Sequence, residues 1–130
     1  MDRSLVGKSY DAVSFALEAD RVAAFAQVVG HVHATVPPTI ATVPELRAGL
    51  LNVLQDAELG VDLARILHGE QRYMWHRPFF VGETLRAFST IEDIRGRPAL
   101  EFLTIRTVIH DVSSALVCEA RSTLLHRGET

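Results

Sequence analysis

The sequence predicts an α+β fold in which an antiparallel sheet curls around one helix. Apolar residues recur at helical spacing in the first half of the chain, whereas long stretches alternate between apolar and polar residues from Ile66 onward. The 130 residues are 48% hydrophobic and 22% charged, which is the composition of one globular domain. We therefore expect a single domain over residues 1–130, with a helix packed on one sheet.

The N-terminal third contains a predicted strand and a predicted helix. Mixed apolar and small residues over positions 10–17 indicate a short first strand. Glu18 and Asp20 then place negative charge at a helix N-terminus, where free amides and the helix dipole favour it. Gly30 marks the expected end of this helix. The apolar residues at helical spacing within it are Val22, Phe25, Ala26 and Val29.

A second helix is predicted after the proline pair Pro37 and Pro38, because a residue that precedes proline avoids helical geometry. Pro44 is acceptable in the first turn of this helix, and a turn over residues 59–63 follows it. The apolar residues that define the predicted buried face are Leu46, Leu50, Leu51 and Leu54.

Four strands are predicted in the second half of the chain. They cover residues 70–77, 84–94, 100–110 and 115–126, with turns at 95–98 and 111–114 between the last three. The third of these strands has the clearest period of two, which is typical of an antiparallel strand with one buried face. Its apolar positions include Leu103, Ile105, Thr107 and Ile109.

Composition excludes several classes of function. The net charge is −3 and the 13 basic residues are scattered, which argues against a nucleic-acid partner. No apolar run approaches the roughly 20 residues of a membrane span, and the N-terminus lacks the apolar core of a signal peptide. The single cysteine, Cys118, has neither a disulfide partner nor a metal-ligand spacing around it. We expect a cytoplasmic protein with no metal and no resident cofactor.

Three blocks of sequence carry a family resemblance. They are VPPTIATV (residues 36–43), LHGEQRYMWHRPFFVGETL (residues 67–85) and ARSTLLHR (residues 120–127). Together they resemble the N-terminal-type domain of the MaoC-like dehydratase family, whose members include R-specific enoyl-CoA hydratases and heterodimeric (3R)-hydroxyacyl-ACP dehydratases. The resemblance implies a hotdog fold, an acyl-CoA or acyl-ACP as substrate carrier, and assembly as a homodimer or as a heterodimer with a catalytic MaoC-like hotdog subunit.

The segment that carries the chemistry in catalytic members departs from their pattern here. In those proteins a Gly-Asp-x-Asn-Pro-x-His segment follows the first helix, and its Asp and His act on a water molecule and on the C2 proton of the thioester. Residues 30–36 read GHVHATV, so His31 replaces the Asp and Val36 replaces the catalytic His. The connection from Gly30 to Pro37 is also shorter than in the family. The chain is therefore expected to lack a complete Asp/His active site.

Four residues are alternative candidates for catalysis. His31 and His33 are a replacement acid/base or metal pair, or else polar loop residues beside the end of the helix. Two histidines without a third ligand do not define a metal site. His68 and Glu70 lie two positions apart. They are either a general base and the carboxylate that orients it, or residues with a structural role beside the substrate cavity.

Substrate-binding candidates follow from the same resemblance. A backbone amide at the start of the central helix would polarise the thioester carbonyl, which selects the segment Pro38, Thr39 and Ile40. Arg77 either shapes the end of a strand next to Pro78 or contacts a phosphate of CoA or phosphopantetheine.

The leading functional hypothesis is an acyl-thioester-binding subunit that supports R-specific enoyl hydration or (3R)-hydroxyacyl-ACP or -CoA dehydration beside a catalytic partner. One alternative is a self-sufficient hydratase or thioesterase that uses the pair His31 and His33 or the pair His68 and Glu70. The other is a non-catalytic homodimeric module that binds a ligand. Any activity of the chain would be that of a lyase on acyl thioesters under the leading hypothesis.

Overall fold

A computed structural model describes residues 1–128 and contains one five-stranded antiparallel sheet with a helix packed against it. The order of strands across the sheet is β1, β3, β4, β5, β2. This arrangement confirms the predicted fold class. The strands are β1 (Val13–Ala16), β2 (Ile66–Trp75), β3 (Thr84–Arg97), β4 (Leu100–His110) and β5 (Leu116–Arg127).

The first helix, α1 (Ala19–Val29), ends where the sequence predicts. Gly30 adopts a left-handed φ of 72°, and the His31 amide then donates a 2.9 Å hydrogen bond to the Ala26 carbonyl oxygen. This geometry closes the last turn and satisfies carbonyls that would otherwise lack partners. Only Val22 of α1 is buried, so the helix lies on the flank of the domain.

A continuous helical segment over residues 38–54, here called the central helix, packs against the sheet. Its turns are 3-10 at Pro38–Ala41, α at Thr42–Glu45, π at Leu46–Leu50 and α again at Leu51–Leu54. It therefore begins six residues before Pro44, which the sequence places in the first turn. The π-helical stretch widens the helix at its middle, where it faces the sheet.

The central helix does not bury all four leucines of its predicted apolar face, although Leu50 and Leu54 pack half-buried against the core. Leu46 and Leu51 are 46% and 43% exposed, whereas the sheet side carries smaller residues. A Cβ atom on Gly49 would lie 1.9 Å from Ser89 Oγ, so the backbone of the helix approaches the sheet closely at this point. A large side chain has no room there. The buried residues of the helix are Ile40, Ala41, Pro44, Glu45, Ala48, Gly49 and Val53.

β4 has the predicted limits and β5 is shifted by one residue, whereas β3 continues three residues beyond its predicted end and β2 ends two residues before its own. β1 is shorter than the predicted segment of residues 10–17, and β2 begins at Ile66 instead of residue 70. The alternation predicted for β4 is confirmed, because every second residue from Glu101 to Ile109 is buried. No helix among residues 1–128 is long and apolar enough to cross a membrane.

Candidate functional site

A cavity of about 500 Å³ lies between the end of α1 and the start of the central helix. Its walls combine apolar side chains with two histidines and the first residues of the central helix. Both candidate histidines and Thr39 therefore border the same space. The lining residues are Phe25, Val29, Gly30, His31, Val32, His33, Pro37, Pro38, Thr39 and Thr42.

The two predicted amide donors differ in availability. The Ile40 amide donates a 3.1 Å hydrogen bond to the Pro37 carbonyl oxygen, and Ile40 is fully buried. The amide of the exposed Thr39 has no hydrogen-bond acceptor among residues 1–128. Helix N-termini expose such free N–H groups, which stabilise negative charge. Of the two amides, that of Thr39 is therefore the one free to donate a hydrogen bond to a carbonyl oxygen.

His31 and His33 are held differently. His31 Nε2 lies 2.8 Å from the Thr35 carbonyl oxygen, so this nitrogen carries a proton and Nδ1 is left as the acceptor in a neutral ring. The rings of the two histidines meet edge-on with centroids 5.4 Å apart. Within residues 1–128, no group of three or more His, Cys, Asp and Glu side chains could hold a metal ion. The role of the pair as an acid and a base stays a prediction.

A second cavity, of about 330 Å³, opens on the other side of Pro37 and Pro38. Trp75 and Phe79 meet there edge to face, with ring centroids 4.8 Å apart, and make its wall mostly apolar. Apolar cavities of this kind bind hydrocarbon groups by removing them from water. The lining residues are Val36, Pro37, Pro38, Trp75, His76, Arg77, Pro78 and Phe79.

Arg77 lines this second cavity and is anchored by two acidic residues. It donates hydrogen bonds of 2.7 and 3.0 Å to Glu83 and one of 3.3 Å to Asp111. Its guanidinium group also stacks over Phe80, 4.6 Å from the ring centroid. These contacts join the end of β2 to the segments that flank β3 and β5. The phosphate contact of Arg77 stays a prediction.

His68 and Glu70 do not contact each other. Gly69 is an extra residue in the pairing of β2 with β5, and this bulge turns the two side chains to opposite faces of the strand. Glu70 accepts a 2.6 Å hydrogen bond from Arg72, whereas His68 Nε2 lies 3.1 Å from Gln71 Oε1. The structure thus places His68 beside Gln71 on the helix side and Glu70 on the other side.

Glu45 is a buried acidic residue that sequence reasoning missed. It is 2% exposed and accepts hydrogen bonds from Gln71 Nε2 at 2.9 Å and from Tyr73 Oη at 2.7 Å. Ser122 Oγ donates a third hydrogen bond to it. A buried carboxylate needs such donors because it has lost its water. The available signal is its position four residues after Ala41 and three before Ala48, on the face that small residues define.

Burial and the nearby Glu45 carboxylate shift the pKa of two neighbouring side chains. Burial and the hydrogen bond to Glu45 raise the pKa of Tyr73 well above its ordinary value. Burial, reinforced by Glu45 and Glu119, raises the pKa of the Cys118 thiol to about 12. The thiol is therefore protonated and unreactive at neutral pH.

Glu45 also borders a third cavity of about 500 Å³, whose walls include Leu50, His68 and Leu124.

Comparison with known protein sequences places the chain among dehydratase-like domains. Residues 24–120 match the family described as FAS1-like, dehydratase domain region. A UPF0336 protein of Saccharopolyspora erythraea is 30% identical over 145 aligned positions, which cover 98% of this chain and 92% of the relative. A UPF0336 protein of Streptomyces coelicolor is 32% identical over 146 aligned positions, which cover 98% of this chain and 96% of the relative. Because 145 positions exceed the 130 residues present here, the Saccharopolyspora protein contains at least 15 residues that this chain lacks.

Solved structures show the same fold. The C-terminally truncated HadBC (3R-hydroxyacyl-ACP dehydratase) complex of Mycobacterium tuberculosis has a chain with TM-score 0.74 and 22% identity, over 93% of this chain and 96% of that one. The (R)-hydratase of A. caviae has TM-score 0.60 and 23% identity, over 92% and 94% of the two chains. A MaoC-like dehydratase has TM-score 0.85 and 18% identity, and the superposition covers 97% of this chain and 43% of that one. These likenesses confirm the hotdog fold.

Proposed function

The chain belongs to the FAS1-like dehydratase domain family, and on this premise we propose that it is an acyl-thioester-binding hotdog subunit. It would serve an R-specific enoyl hydratase or a (3R)-hydroxyacyl-ACP or -CoA dehydratase system. A second hotdog subunit would supply the Asp and His that this chain lacks at positions 31 and 36.

The free amide of Thr39 is the observation that carries the proposal. It stands at the start of the central helix and borders a cavity large enough for a thioester group. Removal of a C2 proton moves negative charge onto the thioester oxygen, and a fixed N–H donor stabilises that charge. The apolar cavity beyond Pro37 and Pro38 suits the hydrocarbon part of an acyl chain. The partner would take the C2 proton and protonate the departing C3 hydroxyl, which leaves as water.

Hydration of crotonyl-CoA and of a longer trans-2-enoyl-CoA, followed by loss of the enoyl absorbance, tests this function. We expect no turnover by the chain alone, and turnover when a hotdog subunit with an intact Gly-Asp-x-Asn-Pro-x-His segment is added. Thr39→Pro removes the amide hydrogen and should lower the turnover of the pair about 10²- to 10³-fold. Thr39→Ala keeps the amide and is the control for loss of the Thr39 side chain, and circular dichroism of Thr39→Pro checks that the start of the central helix is retained, because proline disfavours helical geometry at the preceding Pro38. Turnover of the pair that does not change in Thr39→Pro would contradict the proposed role.

A second candidate is a self-sufficient hydratase. It is favoured by the position of His31 and His33 on the same cavity as the Thr39 amide. Turnover by the isolated chain that disappears in His31→Ala or His33→Ala would select this alternative. Saturable binding of an acyl thioester without turnover, alone or with a partner, would instead select a non-catalytic binding module.

A further inference from the structure

Two arginines contact the same buried aromatic ring. The guanidinium carbon of Arg21, in the first turn of α1, lies 5.4 Å from the ring centroid of Phe15. That of Arg47, in the π-helical stretch of the central helix, lies 5.3 Å from the same point. The two guanidinium groups, here called the arginine pair, are therefore close to each other. Phe15 is 2% exposed and belongs to the core, so it gives both cations a firm support.

The N–H groups of the arginine pair have no acceptors. Neither Arg21 nor Arg47 forms an ion pair or donates a hydrogen bond to another of the residues 1–128. A cation–π contact uses the positive charge of a guanidinium group but supplies no acceptor for its N–H groups. Both side chains are exposed, so a ligand can approach them. Planar guanidinium donors of this kind bind phosphate oxygens in pairs.

The acidic residues near the arginine pair in sequence do not neutralise it. Glu18 and Asp20 lie on either side of the start of α1, but neither forms an ion pair with Arg21. Glu45 precedes Arg47 by two positions, and its buried carboxylate accepts hydrogen bonds from donors on the sheet. Neither guanidinium group is thus committed to an acidic partner within the described part of the chain.

The arginine pair lies some distance along both helices from the proposed thioester site. Arg21 shares a face of α1 with Phe25 and Val29, which follow it at intervals of four residues. Those two residues line the cavity that borders Thr39. On the central helix, Arg47 follows Thr39 by eight residues, which corresponds to about 12 Å of helix. A 4′-phosphopantetheine arm reaches about 15 Å from sulfur to phosphorus, as a peptide chain with the same number of bonds does.

We propose that Arg21 and Arg47 bind the phosphate group of the 4′-phosphopantetheine arm, which acyl-CoA and acyl-ACP share. A thioester held at the Thr39 amide brings this phosphate within reach of both guanidinium groups, which then donate charge-assisted hydrogen bonds to its oxygens. The assignment rests on the proposed function, because it names the part of the thioester carrier that the chain recognises.

Arg77 is less suited to this phosphate. Its guanidinium group already donates hydrogen bonds to Glu83 and Asp111, so a phosphate would have to displace a carboxylate from it. Arg77 also lines the apolar cavity, which the hydrocarbon group occupies in the proposed function. The phosphate and the hydrocarbon group lie at opposite ends of the substrate and need separate sites.

Three crotonyl thioesters test the site by calorimetric titration of the chain. Crotonyl-pantetheine lacks the phosphate, crotonyl-4′-phosphopantetheine contains it, and crotonyl-CoA adds the nucleotide. We expect the arm phosphate to lower the dissociation constant about 10- to 100-fold in the wild type, as hydrogen bonds to charged groups do. In the double variant Arg21→Gln with Arg47→Gln, the two pantetheine esters should bind equally, and crotonyl-pantetheine should bind as it does to the wild type.

Arg86→Gln is the matched control. Arg86 is also exposed, but it alternates with the buried Leu85 and Ala87 on β3, so its side chain lies on the outer face of the sheet. This variant should keep the preference for the phosphorylated ester. A preference that survives in the double variant, or that disappears in a folded Arg77→Gln variant, would overturn the proposal. A loss confined to crotonyl-CoA would also overturn it, because the arginine pair would then bind the nucleotide phosphates.

The free thiols separate this proposal from the proposed function. If none of the three thioesters binds, the proposed function fails, and pantetheine and 4′-phosphopantetheine then test the arginine pair alone. Tighter binding of the phosphorylated thiol that the double variant abolishes would support the phosphate site. Equal binding of the two thiols, or binding of neither, would overturn it.

Discussion

At the scale of single residues, the main feature is the buried carboxylate of Glu45, which is 2% exposed. Glu45 joins the central helix to the edge strand through Gln71 and Tyr73, and to β5 through Ser122. A buried charge of this kind is destabilising unless its donors are all present. The cluster therefore adds side-chain hydrogen bonds between β2 and the central helix to the backbone pairing of β2 with β5.

Tyr73→Phe tests the contribution of these hydrogen bonds. The variant keeps the ring and removes one donor to a buried carboxylate, so we expect the free energy of unfolding to fall by about 1–2 kcal/mol in denaturant titration. Tyr10→Phe is the matched control, because Tyr10 donates a similar 2.7 Å bond to Asp56, which keeps Lys8 as a second donor. We expect a smaller loss there. Equal losses in the two variants would argue against a special role for the buried cluster.

At the scale of the element, the central helix is shaped by how closely it approaches the sheet. Its π-helical stretch contains Gly49, which faces the hydrogen-bonded pair Ser89 and Thr107 on β3 and β4. A glycine inside a helix is unfavourable by about 1 kcal/mol relative to alanine. Its presence is explained here by space, because the sheet leaves no room for a methyl group.

Gly49→Ala should therefore destabilise the protein although alanine is the better helix former. The added Cβ would lie 1.9 Å from Ser89 Oγ and 2.9 Å from Ser89 Cβ, so the helix must move away from the sheet. We expect a loss of about 1–3 kcal/mol in urea titration, which outweighs the gain in helix propensity. Adding Ser89→Ala removes the nearest atom and should recover part of the loss. A stabilised Gly49→Ala variant would show that the helix has room to adjust.

At the scale of the whole molecule, one arginine joins segments that are distant in sequence. Arg77 follows β2, Glu83 precedes β3 and Asp111 follows β4, and their side chains meet beside the apolar cavity. Hydrogen bonds from the Ser113 side chain and the Ala115 amide, followed by that from Arg77, lower the pKa of Asp111 to about 2. Its pKa in the unfolded chain is near 4.

The lowered pKa predicts how stability depends on pH. Since the folded chain binds this proton less tightly than the unfolded chain, the contribution of Asp111 is complete above about pH 4 and is lost between about pH 4 and 2. Asp111→Asn should reduce the stability at neutral pH and make its decline over that interval shallower, as measured by unfolding at fixed pH values. Asp11→Asn, at an exposed residue, should keep the wild-type profile. An unchanged acid limb in Asp111→Asn would contradict the assignment.

The sequence by itself determined the fold class, the extent of α1 and the alternation of β4. These follow from local periodicity and from helix-end residues such as Gly30, whose effect does not depend on contacts with distant segments. The quoted blocks likewise indicated the dehydratase-like family, which the match over residues 24–120 confirms.

Only the tertiary structure decided which face of the central helix is buried and which candidate residues meet. Spacing shows that Leu46 and Leu50 share a face, but Leu46 is exposed, and the close approach of the sheet buries Glu45 and Gly49. His68 and Glu70 are two positions apart, and a bulge that exists only in the pairing with β5 separates them. Burial and strand register are properties of contacts between distant segments, and local sequence patterns do not contain them.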